Sequence, residues 1–273
     1  MPITPSSVVV ITEAASGIGK ALTEKYLALG ARVAALDKNQ DALQDLKSKT
    51  PGDNLAIYQV DVSHESEIQE VGSAIKKKWN QVTIWINNAG VGFSAPFHSM
   101  KSKDFETFMA INYYGVVYGT RMAMELMKES GKGVIVNVAS LHGKVPGPFI
   151  SSYAGSKHAV VGFTRSLQME MELLQSPIKI ILACPGWVRT PLFTSEHNMQ
   201  VRSSFQWMIE NPQNIAQQII KAIDTNKKEI SPGISGKLFS LLYGFSPWLM
   251  SKGIRLVFAK NWREILGISK IEF

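Results

Sequence analysis

The chain has a single cysteine, Cys184, among 273 residues. A disulfide framework within the chain is thereby excluded, and a reducing compartment, the cytoplasm, is expected. No apolar run reaches roughly 18 residues, the length needed to span a bilayer. The opening MPITPSSVVVIT has no basic residue and one short apolar stretch, so no secretory leader is expected. The five histidines, His64, His98, His142, His158 and His197, fall at no metal-ligand spacing, and no metal site is expected. Repeats and low-complexity segments are missing too, as is any linker that would split the chain. The hydrophobic share of 45% is ordinary for a globular protein and too high for a disordered one. The net charge of +7 hints at an anionic partner such as phosphate, a membrane surface or nucleic acid. Nucleic acid is the weakest of these, because no basic stripe interleaved with aromatics is present.

What is present is an alternation. Aliphatic runs at 8–12, 32–37, 55–62, 82–87, 133–140 and 178–185, with a weak one at 229–231, read as strands buried on both faces. Between them, 17–29, 41–49, 63–79, 102–129, 153–174 and 213–225 read as helices. In the third helix Ser63 and Ser66 are cap candidates, and Ile68, Val71 and Ile75 recur at helical spacing. Alternation sustained this long predicts an α/β protein: one parallel seven-stranded sheet with helices on both faces. Residues 187–211 show no clean period, and they follow a strand end, where ligands bind in such sheets.

The segment Thr12-Glu13-Ala14-Ala15-Ser16-Gly17-Ile18-Gly19 joins the first strand to the first helix. Glycines there allow close approach of a pyrophosphate, and the helix N-terminus offers free N–H groups to the anion. Asp37 ends the second strand, 18 residues past Gly19. Its carboxylate either holds a ribose diol and repels a 2′-phosphate, or caps the following helix. NAD is favoured over NADP on this ground, and Lys38 beside it acts in the opposite sense.

These residues resemble the short-chain dehydrogenase/reductase family. Its Thr-Gly-x-x-x-Gly-x-Gly signature is matched by Thr12, Gly17 and Gly19, and Asn87-Asn88-Ala89-Gly90 is similar to its motif at the end of strand four. Ser140 resembles the family serine after strand five, and Tyr153 and Lys157 its Tyr-x-x-x-Lys element. Asn112 lies where a fourth catalytic residue is found, and Pro185-Gly186-Trp187-Val188-Arg189-Thr190 resembles the nicotinamide-side loop. The resemblance implies a doubly wound Rossmann fold over residues 5–232, with 233–273 as an extension. It implies a catalytic set of Asn112, Ser140, Tyr153 and Lys157. It also implies dinucleotide contacts from Thr12, Ser16, Gly17, Ile18, Gly19, Asp37, Asp61, Val62, Asn88, Ala89, Gly90, Tyr153, Lys157, Pro185, Gly186, Val188 and Thr190. Family members commonly form dimers or tetramers, so a homo-oligomer is expected.

One residue departs from the pattern: Glu13 stands at the first glycine. A like charge there disfavours the dinucleotide phosphates unless it points away, or else it accepts a hydrogen bond from the adenosine ribose.

Tyr153 and Lys157, four apart, share a helix face, so the ammonium is expected to lower the phenol's pKa from about 10. Ser140 can hold a substrate oxygen against that phenol, and by resemblance Asn112 holds a water linking the lysine to solvent. Asp61 reads equally as an adenine neighbour and a helix cap. His142, two residues past Ser140, could line the pocket but is read first as a solvated loop residue, and Cys184 as packing at a strand end. Phe93, Leu141, Phe149, Trp187 and Phe193 are the expected substrate lining, which points to a lipophilic secondary alcohol or ketone. The same residues could instead pack a lid over the cofactor or against each other. The tail from 233 holds six basic residues, two acidic ones and many Leu, Phe and Trp. It is expected to pack on the domain or a partner in preference to a membrane surface, since Gly244, Pro247 and Gly253 should interrupt a long helix. The alternative to an oxidoreductase is a dinucleotide-binding sensor or scaffold that Glu13 has deprived of turnover.

Overall fold

In the computed structural model, backbone structure is described for residues 3–191 and 203–266, and side chains for 3–191 and 206–256. Seven parallel strands form one sheet: β1 (Val8–Thr12), β2 (Arg32–Asp37), β3 (Leu55–Gln59), β4 (Ile84–Asn87), β5 (Gly133–Val138), β6 (Ile178–Ala183) and β7 (Glu229–Ile230). Their spatial order is β3-β2-β1-β4-β5-β6-β7. The order reverses between β1 and β4, which pair through Val9 with Ile84 and Ile11 with Ile86. Parallel neighbours need crossovers, and each is supplied by at least one helix.

Strand residues alternate between two cores. Val9, Ile11, Val33, Ala35, Ile84, Ile86, Val134 and Val136 face α1 (Gly17–Ala28), α2 (Gln40–Ser48) and α7 (Pro212–Asp224). Val8, Val10, Ala34, Leu36, Trp85 and Ile135 face α3 (Glu65–Trp79), α5 (Gly115–Lys128) and α6 (Ser151–Leu173). Both faces are covered, so the strands read as continuous apolar runs.

Several local expectations need correction. The capping residue of α3 is His64, whose ring pairs with Glu67; Ser66 lies inside the first turn, and Ser63 bonds Asp61 instead. The helix expected over 102–129 is three pieces: α4 (Ser102–Met109), a π turn (Ala110–Tyr114) and α5. An extra residue in a π turn has no signature in hydrophobic periodicity. The tail forms two helices, α8 (Ile234–Phe245) and α9 (Pro247–Leu266). Pro247 opens α9, where its missing N–H costs nothing, and Gly253 lies inside that helix instead of ending it. Among the described residues no helix is long and apolar enough to cross a membrane. Even so, Leu241, Phe245 and Trp248 are 72%, 89% and 64% exposed.

At the carboxyl ends of β4 and β5 lies a buried polar knot. Asn87 accepts from the Trp85 indole (2.7 Å) and donates to Asn137 (2.8 Å) and Thr120 (3.1 Å). Asn137 accepts from Thr120 and donates to Thr164. The knot joins two strands to α5 and α6. Gly119 makes room for it, since a Cβ there would sit 2.0 Å from the Asn87 oxygen.

Candidate active site

A cleft opens at the β1/β4 reversal, where doubly wound sheets bind ligands. Glu13, Gly17, Ile18, Asn88, Gly90, Phe93, Ser140, Leu141, His142, Tyr153, Lys157, Pro185, Gly186, Trp187, Val188 and Thr190 are among its walls.

One end is the N-terminus of α1. Ser16 precedes it in extended conformation, and its hydroxyl does not cap the helix. It donates instead to Glu13 Oε1 at 3.2 Å. First-turn N–H groups have no partner within a helix, and here Gly17 and Ile18 present that turn to the cleft. Gly17 has φ +50, and a Cβ on it would come within 3.1 Å of the Thr190 methyl. A Cβ on Gly19 would lie 2.0 Å from the Glu13 carbonyl oxygen, so a side chain is excluded there. An uncapped helix start, reached over glycines and closed by Thr190, fits a pyrophosphate.

The surrounding residues are placed as follows. The Thr12 hydroxyl accepts from the N–H groups of Asn88 and Ala89, each at 2.9 Å, which uses both its lone pairs. Thr12 therefore clamps β1 to the β4 end. Asn88 returns a bond to the Thr12 carbonyl. Asp37 accepts from Ala15 N–H (3.0 Å) and Asn39 N–H (2.9 Å), fastening β2 to the phosphate loop. The cap of α2 is Asn39, which decides against Asp37 in that role. Asp61 bonds Lys38 at 2.6 Å and Ser63; burial opposes its ionisation, but these partners hold it down at about 2. Val62 is buried against Gly115 of α5.

At the other end, Ser140 follows β5 and accepts from His142 N–H at 3.1 Å. Ser140 and Tyr153 line the same part of the cleft, and Ser140 acts on the Tyr153 hydroxyl as a hydrogen-bonding neighbour. Lys157 Nζ lies 6.0 Å from the Tyr153 ring centre and donates to the Val138 carbonyl at 3.3 Å. Burial lowers the Lys157 ammonium to about 8, against the pull of Glu13. The expected lowering of the Tyr153 phenol is not found. Burial pushes it above its ordinary value, the Ser140 bond acts downward, and the Glu13 carboxylate acts upward. Sequence spacing places the ammonium near the ring but carries no information on desolvation.

Asn112 sits in the π turn, fully buried. Its amide donates to the Val91 carbonyl (2.9 Å) and Ser156 Oγ (2.9 Å), and its oxygen accepts from Val91 N–H (2.8 Å). Both its side-chain N–H bonds are thus spent on protein. It ties the loop after β4 to the helix carrying Tyr153 and Lys157.

Phe93, Leu141 and Trp187 line the cleft, whereas Phe149 does not. Phe149 adopts φ +65, and its carbonyl accepts from Ala95 N–H, so it joins two loops instead. Phe193 lies outside the described residues. His142 is a half-buried cleft residue, the second of its two sequence readings. Its Nδ1 donates to the Val145 carbonyl, its ring meets Tyr153 edge-on at 6.4 Å, and burial lowers its pKa. Gly92 is a further site residue, because a Cβ there would reach within 2.7 Å of the Tyr153 ring. His142 is open to this reading in sequence, following Ser140 by two positions, whereas Gly92 has no such signal. Gly186 lets α8 approach, since a Cβ would lie 2.2 Å from Ser235 Oγ. Phe239 of α8 packs its ring 5.3 Å from that of Trp187.

Glu13 is the anomaly. It holds φ +53, a left-handed conformation that favours glycine. Its Oε2 accepts from Gly90 N–H at 2.9 Å, so the side chain lies across the cleft. Burial is the main cause that raises its pKa from 4.5 to about 7. The folded protein therefore binds a proton that the unfolded chain releases between those values, and stability falls as pH rises through that window. Measured against Glu13→Gln by denaturant unfolding at pH 5 and 8, the parent should lose on the order of 3 kcal/mol.

Residues 7–201 match the family described as short chain dehydrogenase. The chain is 31% identical over 266 residues to the 15-hydroxyprostaglandin dehydrogenase [NAD(+)] of Rattus norvegicus, covering 88% of this chain and 97% of that protein. It is 30% identical over 250 residues to an uncharacterized oxidoreductase, YxnA, of Bacillus subtilis, covering 90% of this chain and 70% of that one. Among solved structures, the 3-ketoacyl-(acyl-carrier-protein) reductase of Brucella melitensis, complexed with NADH, superposes with a TM-score of 0.75 at 26% identity. That likeness covers 82% of this chain and 93% of the reductase. Sheet order, cleft and sequence agree: the chain belongs to the short-chain dehydrogenase/reductase family of oxidoreductases.

Proposed function

We propose that the protein moves a hydride between NAD(H) and a lipophilic secondary alcohol or ketone. The observation that carries this reading is that Ser140, Tyr153 and Lys157 line one cleft together, the Lys157 ammonium 6.0 Å from the Tyr153 ring centre, with the uncapped start of α1 in the same walls. A bound dinucleotide would supply or accept the hydride. The chain's own residues handle the oxygen. Ser140 and Tyr153 present two hydroxyls to the substrate oxygen, so that it is held and its proton has a path. Tyr153 gives that proton in reduction and takes it in oxidation. Lys157, buried beside the Tyr153 ring, brings its ammonium to the ribose side of the cleft near Gly90. Asn112 positions the loop and α6 relative to each other.

NAD is preferred in this reading. Asp37 ends β2 as a buried carboxylate, and Lys38, the cation that would welcome a 2′-phosphate, is already paired with Asp61. The rat relative is named for NAD(+), which supports the same choice. Phe93, Leu141, Ile150 and Trp187 supply an apolar wall. The Trp187 indole N–H is buried without a partner among the described residues, so a substrate with one acceptor beyond its reacting oxygen would satisfy it. Residues 5–232 are taken as the binding and catalytic unit and 233–273 as an extension to it, with the working form a homodimer or homotetramer.

Titrating NADH and NADPH against the fluorescence of the six tryptophans tests the cofactor assignment. NADH should bind at least about tenfold more tightly, and Asp37→Ser with Lys38→Arg should erase that margin. A screen of alcohols and ketones of graded lipophilicity with the preferred cofactor then tests the substrate class. A sensor that binds NADH but turns over none of them is the second reading, kept alive by Glu13.

A further inference from the structure

The cofactor reading leaves one residue unexplained, and the inference here rests on that reading. Glu13 occupies the position where the phosphate loop needs a glycine-like backbone, and it does adopt φ +53. Its side chain does not turn away to solvent. It crosses from the end of β1 to the loop after β4 and takes Gly90 N–H at 2.9 Å and the Ser16 hydroxyl at 3.2 Å. Gly17 and Ile18 on one side and Gly90 and Lys157 on the other are the walls between which a dinucleotide must lie, and Glu13 is itself a wall of that same cleft.

We propose that Glu13 is the residue that sets dinucleotide affinity, its carboxyl having to leave Gly90 and be protonated for the cofactor to lie in the cleft, so that cofactor binding takes up a proton.

The physical reasons are three. First, the carboxylate, itself in the cleft wall, holds both the Gly90 N–H, from the same wall, and the Ser16 hydroxyl just before α1. A ligand can use them only by displacing it. Second, an ionised carboxylate beside a pyrophosphate adds a repulsion that a low-dielectric cleft barely screens. Third, the charges facing Glu13 do not compensate it fully. Lys157 from α6 attracts it, whereas Asp37 from β2 repels it, and Tyr153, also from α6, feels its charge. A second anion entering this set is best accommodated by neutralising the first. The raised pKa of Glu13 agrees with this placement and puts the proton within reach near neutral pH.

The test uses the full chain, with NADH as the probe, and reads binding instead of turnover. Dissociation constants are measured by tryptophan fluorescence from pH 6 to 8.5 for the parent, Glu13→Gln and Glu13→Gly. Calorimetry in two buffers of different ionisation enthalpy counts the protons. Lys157, Asp37 and Tyr153 are present in all three proteins, so any difference in pH profile belongs to position 13. The parent should weaken relative to Glu13→Gln by about tenfold per pH unit above pH 7, and take up close to one proton more per NADH at pH 8. Glu13→Gly should bind most tightly at pH 8. Parallel profiles for parent and Glu13→Gln, or a Glu13→Gly no tighter than the parent at pH 8, overturn the proposal while leaving the cofactor reading intact. Failure of all three proteins to bind NADH or NADPH at any pH overturns the cofactor reading and the proposal with it.

Discussion

Replacing Tyr153 by phenylalanine should reduce turnover by about 10²–10⁴-fold while changing NADH affinity by less than about threefold, because only the proton-carrying oxygen is lost. The ring keeps its place. Gly92 leaves it room on one side, and His142 packs edge-on at 6.4 Å on another. Ser140, its neighbour in the cleft, keeps its own bond from His142 N–H. A drop in kcat with intact binding is thus expected from steady-state kinetics set beside fluorescence titration. Turnover near the parent's would mean that another group moves the proton. Since burial raises the phenol, the oxidation direction should also gain with pH well past neutrality, and that dependence should vanish with the hydroxyl.

Asn137→Ala should be the most damaging small substitution away from the cleft, costing about 3 kcal/mol of unfolding free energy. It removes the oxygen that accepts from Asn87 and Thr120 and the amide that donates to Thr164, all in a region sealed from water. Each deserted donor or acceptor carries a desolvation penalty of roughly 1–3 kcal/mol. In a chain of this size that corresponds to a fall in Tm of about 6–12 °C, readable by calorimetry. Gly119→Ala should act in the same direction by forcing the Asn87 oxygen aside. An Asn137→Ala protein as stable as the parent would mean that water or a rearranged Thr164 fills the gap.

The strand–helix alternation was legible because buried parallel strands are written as unbroken Val, Ile and Leu runs, and all seven runs became strands. The motif residues were legible because they sit at strand ends, where spacing along the chain translates into position in the cleft. Ser140, Tyr153, Lys157 and Gly90 do meet there. The misses share one physical origin: they depend on where atoms point, not on where residues fall in the chain. That the Thr12 hydroxyl clamps the end of β1 to the chain after β4 has no sequence signal. His142 could be placed in the pocket or in solvent from its position after Ser140, and only the packed structure sets its half-buried ring against Tyr153. The phenol's upward shift arises from desolvation, which has no sequence pattern. Glu13 was visible as a departure, but its reach to Gly90 required a left-handed backbone that no motif announces.

The π turn at Ala110–Tyr114 makes helix phase a structural variable here. Removing one residue from that turn would let α4 run into α5 as one regular rod, rotating everything upstream by about 100°. Asn112 would then swing its amide away from Val91 and Ser156, uncoupling the loop bearing Gly90 and Gly92 from the helix bearing Tyr153 and Lys157. A single surplus residue, wound into a helix and not into the sheet, is what keeps the two halves of the cleft in register.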